Sequence, residues 1–308
     1  VPSAKKYRGP IGTVDTTNAE RRASERRDAE KYARPVRVRR FVGIDLATEA
    51  KRTGVVVVAL NGKRATASLP GEGFVPDDRG LVDVVDRATV VGLDSPLGWP
   101  DDFVSAVTAH RLSARWPTFE HRSTDKIRES LRHRRTDLFV RSLDLGSTPL
   151  SVSSDLIGVV AMRAAWLQSA WAQKWGQLEP RDGSGRLIET YPAAALRAWG
   201  FLARRGVRYK GGGVGGQRET QRDERARIVR EIEEQTSVWL RLPVEVREGA
   251  VASDHTLDAL ICALVALATR AKLTHPAPED ARDAALREGW IHVPKEPLAP
   301  LGRLLPVS

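Results

Sequence analysis

With 308 residues, 41% of them hydrophobic, the chain is long enough for one enlarged core and too apolar to be disordered throughout. Its single cysteine, Cys262, excludes an internal disulfide framework and a cysteine-rich zinc site. The formal charge of +10 is concentrated at the start: residues 1–40 carry twelve Lys and Arg against five Asp and Glu, a net +7, and the remainder is nearly balanced.

Residues 1–38 read as a basic, flexible arm. Pro2, Gly9, Pro10 and Gly12 interrupt it early, and a charged helix between Asn18 and Ala33 has no apolar stripe to dock it. Such an arm suits phosphate contacts through counterion release; the plainer reading is a solvated tail that aids solubility. The polar first residues show no secretory pattern. The longest apolar run, Leu257 to Ala268 with Asp258 near its start, falls short of the about 20 residues of a membrane span. The expectation is a cytoplasmic protein with no membrane partner.

From residue 39 to 308 the texture is that of one α/β domain, with a helical insertion at about 100–180. Arg40 to Leu46 is a β-rich run that carries Asp45 at its end. Thr53 to Leu60 holds four consecutive valines and reads as a strand buried on both faces. Asn61-Gly62 predicts a type I′ hairpin turn into a third strand, Arg64 to Leu69, so the first three strands form a meander. Asp78 to Arg87 reads as a short helix. Thr89 to Asp94 follows it as a fourth strand, parallel to a neighbour and again ending at an acid.

The insertion is mostly helical. Between Arg111 and Arg141 nine Lys and Arg outnumber four Asp and Glu. Leu187 to Thr190 is a fifth short strand. Pro192 opens a helix that Gly200 closes. Lys210 to Gly216 is a glycine-rich loop, Gln217 to Gln235 a charged helix, and Val244 to Arg247 a short edge strand. Ser253 caps a helix over Asp254 to Lys272, nearly all apolar past its first turn, and Cys262 within it is expected to be a buried, inert thiol. Gly289 to Pro294 reads as a small docking strand. The fold class is thus a mixed five-stranded sheet, a meander followed by parallel strands, flanked by helices.

Five acids stand out by position. Asp45 and Asp94 end strands, and α/β sheets gather their sites at the carboxyl ends of strands. Glu189 ends another strand. Asp254 and Asp258 lie four apart and share one helix face. Asp258 precedes a helix apolar on every side, where a lone carboxylate costs several kcal/mol unless paired or bound to a metal, and no Lys or Arg lies four residues away. Oxygen-only ligands suit Mg²⁺ or Mn²⁺ rather than zinc. Two such ions about 4 Å apart can activate water and stabilise a leaving oxygen in phosphodiester cleavage. Each acid also has a plain structural reading: turn residue for Asp45 and Asp94, solvated strand end for Glu189, helix-dipole partner for Asp254.

Other candidates are weaker. Arg134 and Arg135 are candidate phosphate contacts, although Arg135 and Asp137 can equally form a structural ion pair. Lys210 before Gly211-Gly212-Gly213 is a candidate phosphate cradle, or the start of a flexible connector; the spacing is not that of a Walker loop. His255 either assists protons or, as the preferred reading, faces solvent. The tryptophans read mostly as core, with Trp166 at helical spacing from Met162, while Trp99 and Trp116 are alternatives for stacking bases.

Several blocks together resemble the family called domain of unknown function 429. They are Gly43-Ile44-Asp45-Leu46-Ala47, Val91 to Pro100, Arg135-Thr136-Asp137, Glu189-Thr190-Tyr191-Pro192, Tyr209-Lys210, Asp254 to Ala259 and Glu288-Gly289-Trp290-Ile291. That family is regarded as predicted nucleases of the ribonuclease H-like fold. The resemblance implies a central sheet acid at Asp45, a second at Asp94 or Glu189, and a C-terminal helix acid at Asp258, with Asp254 as a further candidate. The implied partner is nucleic acid, DNA or RNA. Resolvase-like enzymes act as dimers, so a homodimer is an expectation, with no dimer face legible. Two alternatives share the fold: a non-catalytic nucleic-acid-binding module, and an actin-like or sugar-kinase-like ATPase. The ATPase would need an Asp-x-Gly phosphate turn, where this chain has Asp45-Leu46-Ala47.

Overall fold

A computed structural model describes residues 39–86, 89–117, 122–203, 208–211 and 216–304. The basic arm read over residues 1–38 lies outside the described residues, as do Gly212 and Gly213 of the glycine loop.

The architecture is mixed α/β, with six strands in the order β5-β4-β1-β2-β3-β6. β1 (Arg39–Asp45), β2 (Gly54–Asn61) and β3 (Arg64–Ser68) form the antiparallel meander expected from the sequence. β4 (Thr89–Asp94) runs parallel beside β1, and β5 (Leu187–Glu189) parallel beside β4. The sixth strand, β6 (Leu240–Arg241), extends the far edge parallel to β3. The β2–β3 turn differs in detail from its expected type: φ is positive at Gly62 (58°) but not at Lys63. A two-residue loop with glycine first and positive φ at that position alone fits type II′ rather than I′, which needs positive φ at both.

Between β3 and β5 lie α1 (Asp78–Asp83), α2 (Asp101–Arg111), α3 (Thr124–Arg132), α4 (Arg135–Ser142) and α5 (Ile157–Trp175). After β5 come α6 (Pro192–Ala198), α7 (Gly216–Thr236), α8 (Val244–Ala252), α9 (Asp254–Arg270), α10 (Arg282–Glu288) and α11 (Leu301–Leu304). α8 stands where an edge strand was expected over Val244 to Arg247. The alternating Val-Glu-Val pattern yields because Pro243 sets the first turn, its carbonyl accepting from the Val246 and Arg247 amides at 3.1 Å. Val246 and Ala250, four apart, then bury one helical face.

The sheet alternates its side chains between two cores. Phe41, Val56, Val58 and Ile188 face α9, together with α7 and α8. Val42, Ile44, Val55, Val57, Leu93 and Leu187 face α1 and α5. α5 turns Ala164, Leu167, Trp171 and Trp175 to that second core, and Trp171 donates to the Leu81 carbonyl at 3.0 Å. Trp166 and Met162 sit on the opposite face and are exposed, against the expectation that Trp166 is core. Near the C-terminus Ile291 bridges to Glu189 in parallel, so Gly289 to Pro294 docks beside β5 as expected. No helix among the described residues is long and apolar enough to cross a membrane.

Candidate metal centre

β1 and β4 are in register with Asp45 opposite Asp94, so two carboxyls leave the same end of two adjacent parallel strands. Both project toward α9, because period two places them on the face of Gly43 and Gly92. Those two glycines explain how close α9 lies. A Cβ on Gly43 would meet the Ala259 carbonyl oxygen at 1.8 Å, and one on Gly92 would meet the Cys262 carbonyl oxygen at 2.2 Å. The bare strand backbone lets the helix rest directly on the sheet. Asp258, in the N-terminal half of α9, thereby reaches the two strand acids.

One oxygen from each of Asp45, Asp94 and Asp258 lies within 4.8 Å of the others, a grouping able to hold a metal ion. Asp258 is buried; Asp45 and Asp94 are half-buried. Four further groups furnish the site. The Tyr209 hydroxyl donates to Asp258 Oδ1 at 2.9 Å, and the Lys210 ammonium pairs with Asp258 Oδ2. His255 Nδ1–H donates to Asp45 Oδ2 at 2.7 Å. Asp254 accepts from the Gly211 amide at 3.3 Å and so fastens the Tyr209–Gly211 segment to α9, standing outside the trio. Arg225 reinforces that segment by donating to the Tyr209 carbonyl at 2.8 Å.

The electrostatics show a deficit of positive charge. Burial pushes the Asp94 carboxyl well above its usual range, and Asp45 and Asp258 add to this against the opposing pull of Lys210. Burial likewise pushes Asp258 up to about 7, although Lys210 and Tyr209 favour its ionised form. Burial opposes the charge on Lys210, but Asp258 and the other nearby groups outweigh it and hold the ammonium well above its ordinary value. The bond to Asp45 raises His255 against its own burial. One ammonium and one imidazole thus face three carboxyls, and in the absence of another cation protons make up the difference.

Glu189, read from sequence as a further ligand, is elsewhere. Its register partner is Leu93, not Asp94, so it projects to the opposite face of the sheet. There its Oε2 accepts from Arg134 Nη1 at 2.9 Å and from the Leu97 amide at 3.1 Å, and its Oε1 pairs with Arg134 Nη2 at 2.8 Å. Arg134 is 1% exposed and also grips Asp137. It is therefore an internal counter-ion and not a phosphate contact, and the ion pair weighed as an alternative for Arg135 and Asp137 is made instead by Arg134. Arg135 pairs on the surface with Asp280. Other basic residues of that segment have acidic partners too: Arg122 with Asp102, Arg128 with Asp125, and Arg141 with Glu129.

His255 departs from the expectation that it faces solvent, and Tyr209 was given no role by sequence. A signal existed for the histidine, since position 255 is three before Asp258 on the same helical face. Lys210 is brought to Asp258 by a contact across 48 positions, which no local spacing reveals. Cys262 is buried as expected, accepting from the Thr190 hydroxyl at 3.1 Å. Ser253 holds the N-cap position of α9 without a side-chain cap bond.

Residues 43–282 match the family described as Protein of unknown function (DUF429). The chain belongs to this family. The match runs from Gly43, under α9, to the start of α10, and so takes in Asp45, Asp94, Lys210, His255 and Asp258. No curated protein and no solved structure matches the chain.

Proposed function

We propose that this DUF429 member is a divalent-metal-dependent nuclease that hydrolyses a nucleic-acid phosphodiester. The observation that carries the reading is the convergence of Asp45, Asp94 and Asp258 from two parallel strand ends and one helix. The donor set is oxygen only, which suits Mg²⁺ or Mn²⁺. The charge deficit of the cluster is what a divalent cation would relieve. The β1–β3 meander followed by parallel β4 and β5 agrees with a ribonuclease H-like fold. Bound there, the ions supply a Lewis acid that promotes attack of water on phosphorus and stabilises the leaving oxygen.

The chain's own groups divide the remaining work. Asp45 and Asp94, fixed by strand backbone, would hold the cation from the sheet, and Asp258 would hold it from the helix. His255 orients Asp45 by donating from Nδ1. Lys210 offsets the charge of Asp258, and its ammonium would lie close enough to the cluster to contact an oxygen of a phosphate bound there. The chain's net charge of +10 favours a polyanionic substrate.

A second reading has one observation in its favour. The Lys210–Asp258 pair already offsets part of the burial cost of Asp258, as a non-catalytic nucleic-acid-binding module of the same fold would require. The two readings separate on a panel of single-stranded, duplex and branched DNA and RNA incubated with Mg²⁺ or Mn²⁺ and with EDTA. Metal-dependent cutting is the expected result; binding without cutting in every metal condition would favour the module.

Metal affinity should also depend on pH. Asp94 and Asp258 hold protons to higher pH than ordinary carboxyls, Asp258 to about 7, and a protonated carboxyl must release its proton to become a ligand. Affinity for Mn²⁺ should therefore climb as pH rises through about 7, with protons released on binding. Calorimetry in buffers of different ionisation enthalpy measures both, and a pH-independent affinity with no proton release would contradict the assignment.

A further inference from the structure

Beside the carboxylates is a pocket of about 230 Å³ that shares Asp94 with them. Its volume lies below that of sites for drug-sized ligands, roughly 300–1,000 Å³. It lies above the engineered cavity of about 150 Å³ that accepts benzene. One flat ring system is the size of occupant it suits. Leu46, Pro96, Pro149, Ile157 and Val160 give it aliphatic walls. The charged groups behind it, Glu189 and Arg134, are engaged with each other. Apart from Asp94, which belongs to the carboxylate cluster, the pocket therefore offers neither a free cation for a phosphate nor a free anion for an amine. Among its polar lining residues is the buried Ser95, whose hydroxyl makes only a long contact of 3.4 Å to the Pro96 carbonyl and so is available to a ring edge.

Resting on the nuclease reading, we infer that this pocket takes the nucleobase adjoining the scissile phosphate, so that the substrate is single-stranded, or locally opened, at that nucleotide. A phosphate at the carboxylates and a base in the pocket are joined by one sugar, and Asp94 borders both spaces. A base enters such a pocket only when unpaired and unstacked, because its faces must meet the pocket walls instead of neighbouring bases. The aliphatic walls read the ring's shape, while Ser95 touches its edge.

The test compares a nucleoside 5′-monophosphate with ribose 5-phosphate, each titrated by calorimetry into the full chain with Mn²⁺. Burying one base is expected to tighten binding by roughly 10-fold or more over the sugar phosphate. Val160→Trp, which fills the pocket, should reduce that ratio toward one. Equal binding of the two compounds by the wild type would overturn the base pocket and leave the metal–phosphate reading intact. Binding of neither compound in Mn²⁺ would overturn both. A ratio that survives in a folded Val160→Trp protein would place the base elsewhere and equally overturn the inference.

Discussion

Asp258→Asn and Asp45→Asn are each expected to lower metal-dependent cleavage by at least about a thousandfold while the protein stays folded. On the nuclease reading, the size follows from removing a charged ligand from a cation that would contribute several kcal/mol to the transition state, each 1.36 kcal/mol being a factor of ten. The amide is nearly isosteric, so packing against α9 and the sheet is unchanged. In Asp258→Asn the side-chain oxygen still accepts from the Tyr209 hydroxyl, but the Lys210 ammonium loses its partner. In Asp45→Asn the amide oxygen can keep the His255 bond while the charge is gone. Asp254→Asn is the control. It lies outside the trio, and its amide oxygen can still accept from Gly211, so activity should remain within about tenfold of wild type. Cleavage rates and Mn²⁺ titrations on the same preparations decide the matter. Wild-type cutting by either trio variant would remove that residue from the site.

The trio was legible in the sequence because each member announced itself through a different local property. Asp45 and Asp94 terminate β-rich runs, and the crossover between those runs implied parallel neighbours. Asp258 stands at the head of a helix apolar all round, where an acid requires a reason. Glu189 carried the same strand-end signal as Asp94 and misled, because which face a strand residue takes depends on register. A shift of one position relative to β4 sends it to the other core. The remedy lay in composition: Gly43-x-Asp45 and Gly92-x-Asp94 share a glycine two residues before the acid, and Glu189 is preceded at that spacing by Leu187.

Helix faces posed a similar difficulty. α5 is apolar on more than one side, so spacing alone did not choose between the Trp166–Met162 face and the Ala164–Leu167–Trp171–Trp175 face that is buried. Asp258 has no cation four residues away on its helix, and its partner Lys210 stands on a segment 48 positions earlier. Local pattern thus located the carboxylates, and long-range contacts supplied the groups that tune them. The family match spans the residues of both kinds.

Arg134→Met should destabilise the protein by about 3–5 kcal/mol, the usual cost of leaving a buried charge without its partner. Arg134 is the counter-ion of two buried acids at once, Asp137 and Glu189. It also donates to the Glu288 carbonyl at 3.1 Å, which ties the turn after α10 to the start of α4. Methionine fills much of the volume, so the loss is electrostatic more than steric. The deficit should depend on pH with a definite sign. Burial already raises Glu189 above its ordinary value even with Arg134 present, and removing the cation raises it further. A carboxyl with a raised folded-state pKa costs stability as pH climbs above its unfolded value of about 4.3. Arg134→Met should therefore lie closest to wild type near that pH and fall behind toward pH 8, where thermal melting reads the full loss. Adding Glu189→Gln should restore part of it by removing the charge that Arg134 served. If Arg134→Met melted with wild type at pH 8, Glu189 and Asp137 would not depend on this cation, and its reading as their internal counter-ion would be wrong.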